Sequence, residues 1–137
     1  MAMTPMRAVK LQFDAGRGTT MLLSQLGIGP EQLNAIFLTH MHNDHTEGVP
    51  DLARLRWSFN STGPKIDVVC SADAVSPLGV TISCSKFTTH IADAFIQSGE
   101  IAQRHSALKC TAGGPAELIN TTTLSADKRA ASGLVLW

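Results

Sequence analysis

Short apolar runs alternate along the chain with clusters of turn-forming residues, and each run has the length of one strand or a short helix. Residues Val9 to Phe13 read V-K-L-Q-F, an alternation that puts Val9, Leu11 and Phe13 on one face of a predicted strand. Asp14, Ala15, Gly16, Arg17 and Gly18 then break it with the composition of a tight strand-to-helix turn. Thr19 and Thr20 can cap the next segment, where Met21, Leu22, Leu23 and Leu26 recur at helical spacing until Gly27, Gly29 and Pro30 stop it. This predicts a helix of about two turns.

A second short turn from Glu31 leads into Ala35 to Leu38, a run apolar on both faces of the pleat. Such a strand belongs in a sheet covered on both sides, so the expected fold class is α/β (α+β). Beyond a polar loop, Gly48, Val49 and Pro50 interrupt a helical stretch that resumes over Asp51 to Trp57 with Leu52 and Leu55 inward. Asn60 to Pro64 reads as a turn and Ile66 to Cys70 as a strand. Ser71 to Gly79 reads as a loop and Val80 to Cys84 as a further strand. The clearest amphipathic helix runs from Phe87 to Arg104, with Phe87, Ile91, Phe95 and Ala102 on one side. His90, Asp93, Gln97 and a Glu100–Arg104 pair lie on the other. Cys110 to Gly133 is rich in Ala, Gly, Thr and Ser and holds no sustained period. It is expected to be loop or poorly ordered, with Leu134 to Trp137 as a last strand. The organisation expected is one main domain over 1–109 followed by a loop-rich tail over 110–137.

Length and charge narrow the classes. A chain of 137 residues is the size of one domain, and 44% apolar with 16% charged residues fits a packed globule rather than a disordered chain. Eleven basic and eleven acidic residues cancel, and no stripe of Lys or Arg gathers, so there is no strong nucleic-acid signal. No stretch approaches the length of a membrane span, which points away from a membrane. Cys70, Cys84 and Cys110 are odd in number and widely spaced, which suggests free thiols in a reducing, cytoplasmic setting.

The chemistry is concentrated in residues 40–45, H-M-H-N-D-H, where four of six residues can bind a metal. In an extended segment residues i and i+2 project to the same side, so His40 and His42 can face one ion. A turn at Asn43 can bring Asp44 and His45 to another. Imidazole and carboxylate together suit zinc, with manganese or iron as substitutes. Such a centre activates water for hydrolysis. His90, on the polar side of a helix, and His105, after its end, are read as ordinary surface histidines.

The stretch from Leu11 to Thr20 (LQFDAGRGTT), followed by Ala35 to Leu52 (AIFLTHMHNDHTEGVPDL), resembles the metallo-β-lactamase fold superfamily, nearest to its ribonuclease Z and arylsulfatase-like branch. The resemblance implies His40 and His42 at a first ion and Asp44 and His45 at a second. Asp44 would be the catalytic residue that also orients the attacking hydroxide. It also implies that Asp14 supports the metal loop through hydrogen bonds from a buried position, with Thr39 and Gly48 as small residues beside it. Family members are longer and carry a third first-site His, a bridging Asp and a last second-site His. These are not evident here, so the chain is expected to be a truncated portion of an αββα sandwich.

The function expected is that of a metal-dependent hydrolase acting on a small-molecule ester, phosphodiester or related bond, with β-lactam or lactone hydrolysis on the same residues as a variant. One alternative is a metal-binding piece with no catalysis of its own, because two protein ligands per ion fall short of the usual three. Another is an interaction domain with no metal. Half a sandwich leaves one sheet face bare, which a second copy in a homo-oligomer can cover.

Overall fold

The computed structural model describes residues 8–59, 64–98 and 119–125. Strand β1 (Leu11–Phe13) leads into helix α1 (Thr19–Gln25), and a 3-10 turn at Pro30–Gln32 precedes β2 (Ala35–Phe37). Helices α2 (Asn43–Thr46) and α3 (Val49–Phe59) follow, then β3 (Ile66–Ser71). A small hairpin of β4 (Ala74–Val75) and β5 (Thr81–Ile82), helix α4 (Cys84–Ser98) and β6 (Ile119–Leu124) complete the described elements.

The fold is α/β. Four strands form one sheet in the order β1-β2-β3-β6, and every pairing in it is parallel. Register places Gln12, Ile36, Val68 and Thr121 in one row and Phe13, Phe37, Val69 and Thr122 in the next, on the opposite face. The first face is the core side. Ile36, Ile66 and Val68 are wholly buried there and pack with Val49, Leu52 and Ile91 from the helices. At roughly 1.5–3 kcal/mol for each large aliphatic side chain, this face is the main source of cohesion.

The other face differs from expectation. Val9, Leu11 and Phe13 share a face as their alternation requires, but Leu11 is 48% and Phe13 58% exposed. Phe13 stacks on Phe37 at 5.2 Å, and no layer among the described residues covers the pair. Ala35, on this same face, is buried because its side chain is too short to rise above its neighbours.

Several boundaries move for local reasons. Gly18, at φ 77°, is the N-cap of α1, so Thr19 lies inside the helix and donates its hydroxyl to the carbonyl of Gly16. Helix α3 begins at Val49 and includes Pro50, because a proline in the first turn forfeits no helical hydrogen bond. Cys84, read as the end of a strand, instead begins α4, whose extension past Ser98 lies outside the described residues. The expectation of loop from Cys110 to Gly133 is corrected at Ile119–Leu124, a strand that pairs with β3 along its whole length. Its threonines favour strand, and the missing alternation reflects an edge position where half the side chains stay in solvent. The Asn60–Gly63 part of the expected turn, His105 and the Leu134–Trp137 strand fall outside the described residues.

The cysteines also depart from expectation. Cys70, at the end of β3, is disulfide-bonded to Cys84, with Cα atoms 6.5 Å apart. Their spacing of 14 gave no motif; the sheet and α4 bring them together. Closing a loop of that length limits the unfolded chain by about 3 kcal/mol. Cys70 and Cys84 are therefore not free thiols, and Cys110 lies outside the described residues. Among the described residues, no helix is long and apolar enough to cross a membrane.

Candidate functional site

In a parallel sheet all strands point their C-terminal ends to one edge, and loops at that edge are where such folds build sites. Asp14 follows β1 and residues 39–45 follow β2, so pairing of the two strands sets them side by side. Backbone bonds lock the two loops. Asp14 N donates to Phe37 O at 2.7 Å, Ala15 N to His45 O at 2.7 Å and Gly48 N to Ala15 O at 2.7 Å. The fit leaves no room for side chains at two glycines. A Cβ on Gly16 would collide with Asp44 O, and one on Gly48 would stand 2.5 Å from Gly16 O.

Asp14 organises the site. It is the one non-glycine residue with positive φ among those described, at 55°, a conformation whose cost must be offset by the contacts it permits. Its carboxylate is part-buried rather than fully buried, and it accepts hydrogen bonds from Thr39 N at 2.8 Å and Thr39 Oγ1 at 2.9 and 3.0 Å. Because a carboxylate only accepts, the Thr39 hydroxyl donates to it and is left to accept from His40 Nδ1, 3.0 Å away. That order leaves the lone pair of His40 on Nε2. His45 Nδ1 lies 2.8 Å from Asp14 Oδ2, an ion-pair contact whose N–H is not well aligned on the oxygen.

The pKa values follow from this arrangement. Contact with Asp14 raises the His45 pKa, against the opposing effect of burial, and the nearby Asp44 adds to the rise. Burial pulls the Asp14 carboxyl upward, but the Thr39 amide, His45 and the Thr39 hydroxyl together outweigh it and leave Asp14 below its ordinary value.

The structure brings His40, His42, Asp44 and His45 together. The rings of His40 and His45 are 3.9 Å apart, and those of His40 and His42 4.6 Å. His40 Nε2 and His42 Nδ1 are separated by 3.1 Å, His45 Nε2 and Asp44 Oδ2 by 3.5 Å. Two atoms bound to one tetrahedral zinc at roughly 2.0–2.1 Å stand about 3.3 Å apart, so each pair has the separation of two donors to one ion. Among the described residues, no three His, Cys, Asp or Glu side chains gather as a group able to hold an ion. Each pair thus offers two donors, one short of the three protein ligands usual at catalytic zinc. Thr39 and Gly48 both lie at the loop, Thr39 as the relay from Asp14 and Gly48 as the close contact. His90 is exposed on α4, away from the cluster.

A cavity of about 210 Å³ opens beside His40 and His42, lined by Met41, Ser71, Ala74, Ile82 and Cys84 among others. Sequence reasoning missed these residues. The signal available was a Pro77-Leu78-Gly79 turn bracketed by two cysteines, the outline of a tied hairpin. A larger cavity of about 590 Å³, between α1 and α3, is lined by Thr20, Ser24, Glu31, Leu55 and Phe59 among others and includes none of the clustered histidines.

A parallel α/β sheet with a histidine-aspartate loop at its C-terminal edge defines the class: an α/β protein with a candidate metal site. The match to a family described as Anti-Pycsar protein Apyc1, over residues 2–108, then shows that the chain belongs to that family. Shorter stretches are similar to ribonuclease Z proteins. The one from Prochlorococcus marinus subsp. pastoris is 47% identical over 55 residues, covering 39% of this chain and 18% of that protein. That from Streptococcus thermophilus is 35% identical over 68 residues, covering 50% and 20%. That from Pyrobaculum neutrophilum is 49% identical over 39 residues, covering 28% and 14%. The chain therefore spans a fifth or less of the length of these relatives. The likeness agrees, at the level of the metallo-β-lactamase-type family, with the resemblance read from the sequence.

Proposed function

We propose that this chain carries the metal-binding loop of a metal-dependent hydrolase whose substrate is a phosphodiester. The observation that supports it is the pair of donor separations, 3.1 Å for His40 with His42 and 3.5 Å for Asp44 with His45, backed by the single carboxylate of Asp14. His40 and His42 would hold one zinc ion, and Asp44 and His45 a second. When bound, zinc supplies Lewis acidity and a water acidic enough to attack near neutral pH. Asp14 fixes the ring of His45 directly and that of His40 through Thr39, so little reorganisation is needed when a ligand arrives. Asp44, whose side chain is largely exposed, can accept a hydrogen bond from the attacking water and so orient it. The ribonuclease Z relatives favour RNA over small-molecule esters or β-lactams as the class of substrate.

The test is elemental analysis of purified protein supplied with zinc, together with turnover of bis(p-nitrophenyl) phosphate and a short RNA. About two ions per chain are expected. His42→Ala and Asp44→Ala should each lose an ion and at least ~100-fold in turnover while keeping the fold. Full turnover in both variants would end this reading.

A further inference from the structure

The β4–β5 hairpin is poorly held by its own packing. Ser76 N–Val80 O and Gly79 N–Ser76 O bonds close its turn, with Gly79 at φ 76°. Yet Val75, Leu78 and Val80 are exposed, Leu78 at 90%. An isolated two-stranded hairpin is marginal in water. What anchors this one is its base: Cys70 and Cys84, both almost fully buried, join the end of β3 to the start of α4 on either side of it.

The consequence reaches the histidines. Ala74 and Ile82 are cross-strand partners in the hairpin, and with Cys84 and Met41 they make an apolar wall in the cavity that His40 and His42 also line. The cavity is thus polar where the imidazoles stand and apolar on the hairpin side. Its volume of about 210 Å³ exceeds the ~150 Å³ in which an engineered apolar cavity takes up benzene, so one six-membered ring can enter.

We propose that the Cys70–Cys84 disulfide holds the hairpin as the apolar wall of a ring-sized subsite, which takes the ring of an anion whose charged end sits at His40 and His42. The charged end rests on the hydrolase reading; the ring and its wall are additional to it. Ile82 is the residue that sets the preference, because it faces the cavity from the hairpin and is 46% exposed, free to be changed without opening the core.

Calorimetric titration of the zinc-supplied protein with phenyl phosphate and with methyl phosphate reads the ring alone, since both ligands carry the same anion. Phenyl phosphate should bind about tenfold more tightly, and Ile82→Ser should cut that preference to about twofold. Opening the disulfide to two thiols with a phosphine reductant should reduce the preference similarly and speed amide exchange across residues 72–83 by tenfold or more. Equal affinity for the two phosphates, no binding of either, or a preference indifferent to both Ile82→Ser and reduction overturns the proposal. A ring preference without turnover defeats the hydrolase reading and leaves the subsite standing. Turnover without a ring preference does the reverse.

Discussion

The two edges of the parallel sheet use polar side chains in opposite ways. At the edge where β2 and β3 begin, Arg56 is buried and its guanidinium donates to the backbone carbonyls of Pro30, Glu31, Leu33 and Pro64. Every contact ends on main chain, so the group is consumed in holding three segments together. Burial lowers its pKa, while Asp67 and Glu31 oppose the shift. At the edge where β1 and β2 end, His40 and His45 are each fixed on one ring nitrogen, through Thr39 and Asp14, and turn the other toward a neighbouring donor atom. A polar group saturated by backbone serves the fold; an imidazole whose outer nitrogen meets only another side chain can exchange that contact for a ligand.

The strongest way to break this contrast is Arg56→Ala. It leaves four carbonyls without their charged donor, and hydrogen bonds to a charged group contribute about 1.5–3 kcal/mol, so a loss toward the upper end of that range is expected. Urea unfolding should show that loss, while the zinc content of the protein that remains folded stays as in wild type. A loss below about 1 kcal/mol would mean that the carbonyls are readily hydrated and that this edge is not stapled as described.

Gly48→Ala sharpens the contrast from the other edge. Its Cβ would meet Gly16 O at 2.5 Å and Ala15 O at 2.9 Å, both backbone atoms, so one loop must move. Overpacking of this kind costs about 1–3 kcal/mol. Unlike Arg56→Ala, it should also weaken zinc binding, because Ala15 is bonded to the backbone of His45. Unchanged zinc affinity in a destabilised variant would separate loop packing from donor placement.

How much of this was legible in the sequence depends on the range of the interaction. Residues 40–45 were readable as a cluster because their spacing is local, and the even-odd alternation of β3 follows from its own side chains. The bare outer face was only partly visible, since Leu11 and Phe13 are as apolar as core residues and nothing in their own neighbourhood says what covers them. Arg56 sits in a helix pattern like any surface arginine; only the carbonyls of distant Pro30 and Leu33 explain its burial. Strand Ile119–Leu124 and the Cys70–Cys84 bond are likewise set by long-range pairing. Their residues lacked a short motif because the partner strand, not the spacing, supplies the specificity.

The smallest expected effect concerns the Asp14–His45 pair in metal-free protein. The folded His45 pKa is raised above 6.5, so its contribution to stability is fully present below that value and is lost as pH rises through the folded one. The Asp14 pKa is lowered below 3.8, so its contribution is present above that value and is lost as pH falls through the folded one. The pair therefore stabilises between these limits and fades on both sides. Asp14→Asn tests this cleanly, because Asn tolerates the positive φ and can still accept from Thr39 but carries no charge. With zinc chelated, the variant should lose more stability at about pH 5.5 than at alkaline pH, above the raised folded pKa of His45, where the charge contribution is gone. An equal loss at the two pH values would assign Asp14 to its neutral bonds with Thr39 alone. Its influence on the histidines would then rest on position rather than charge.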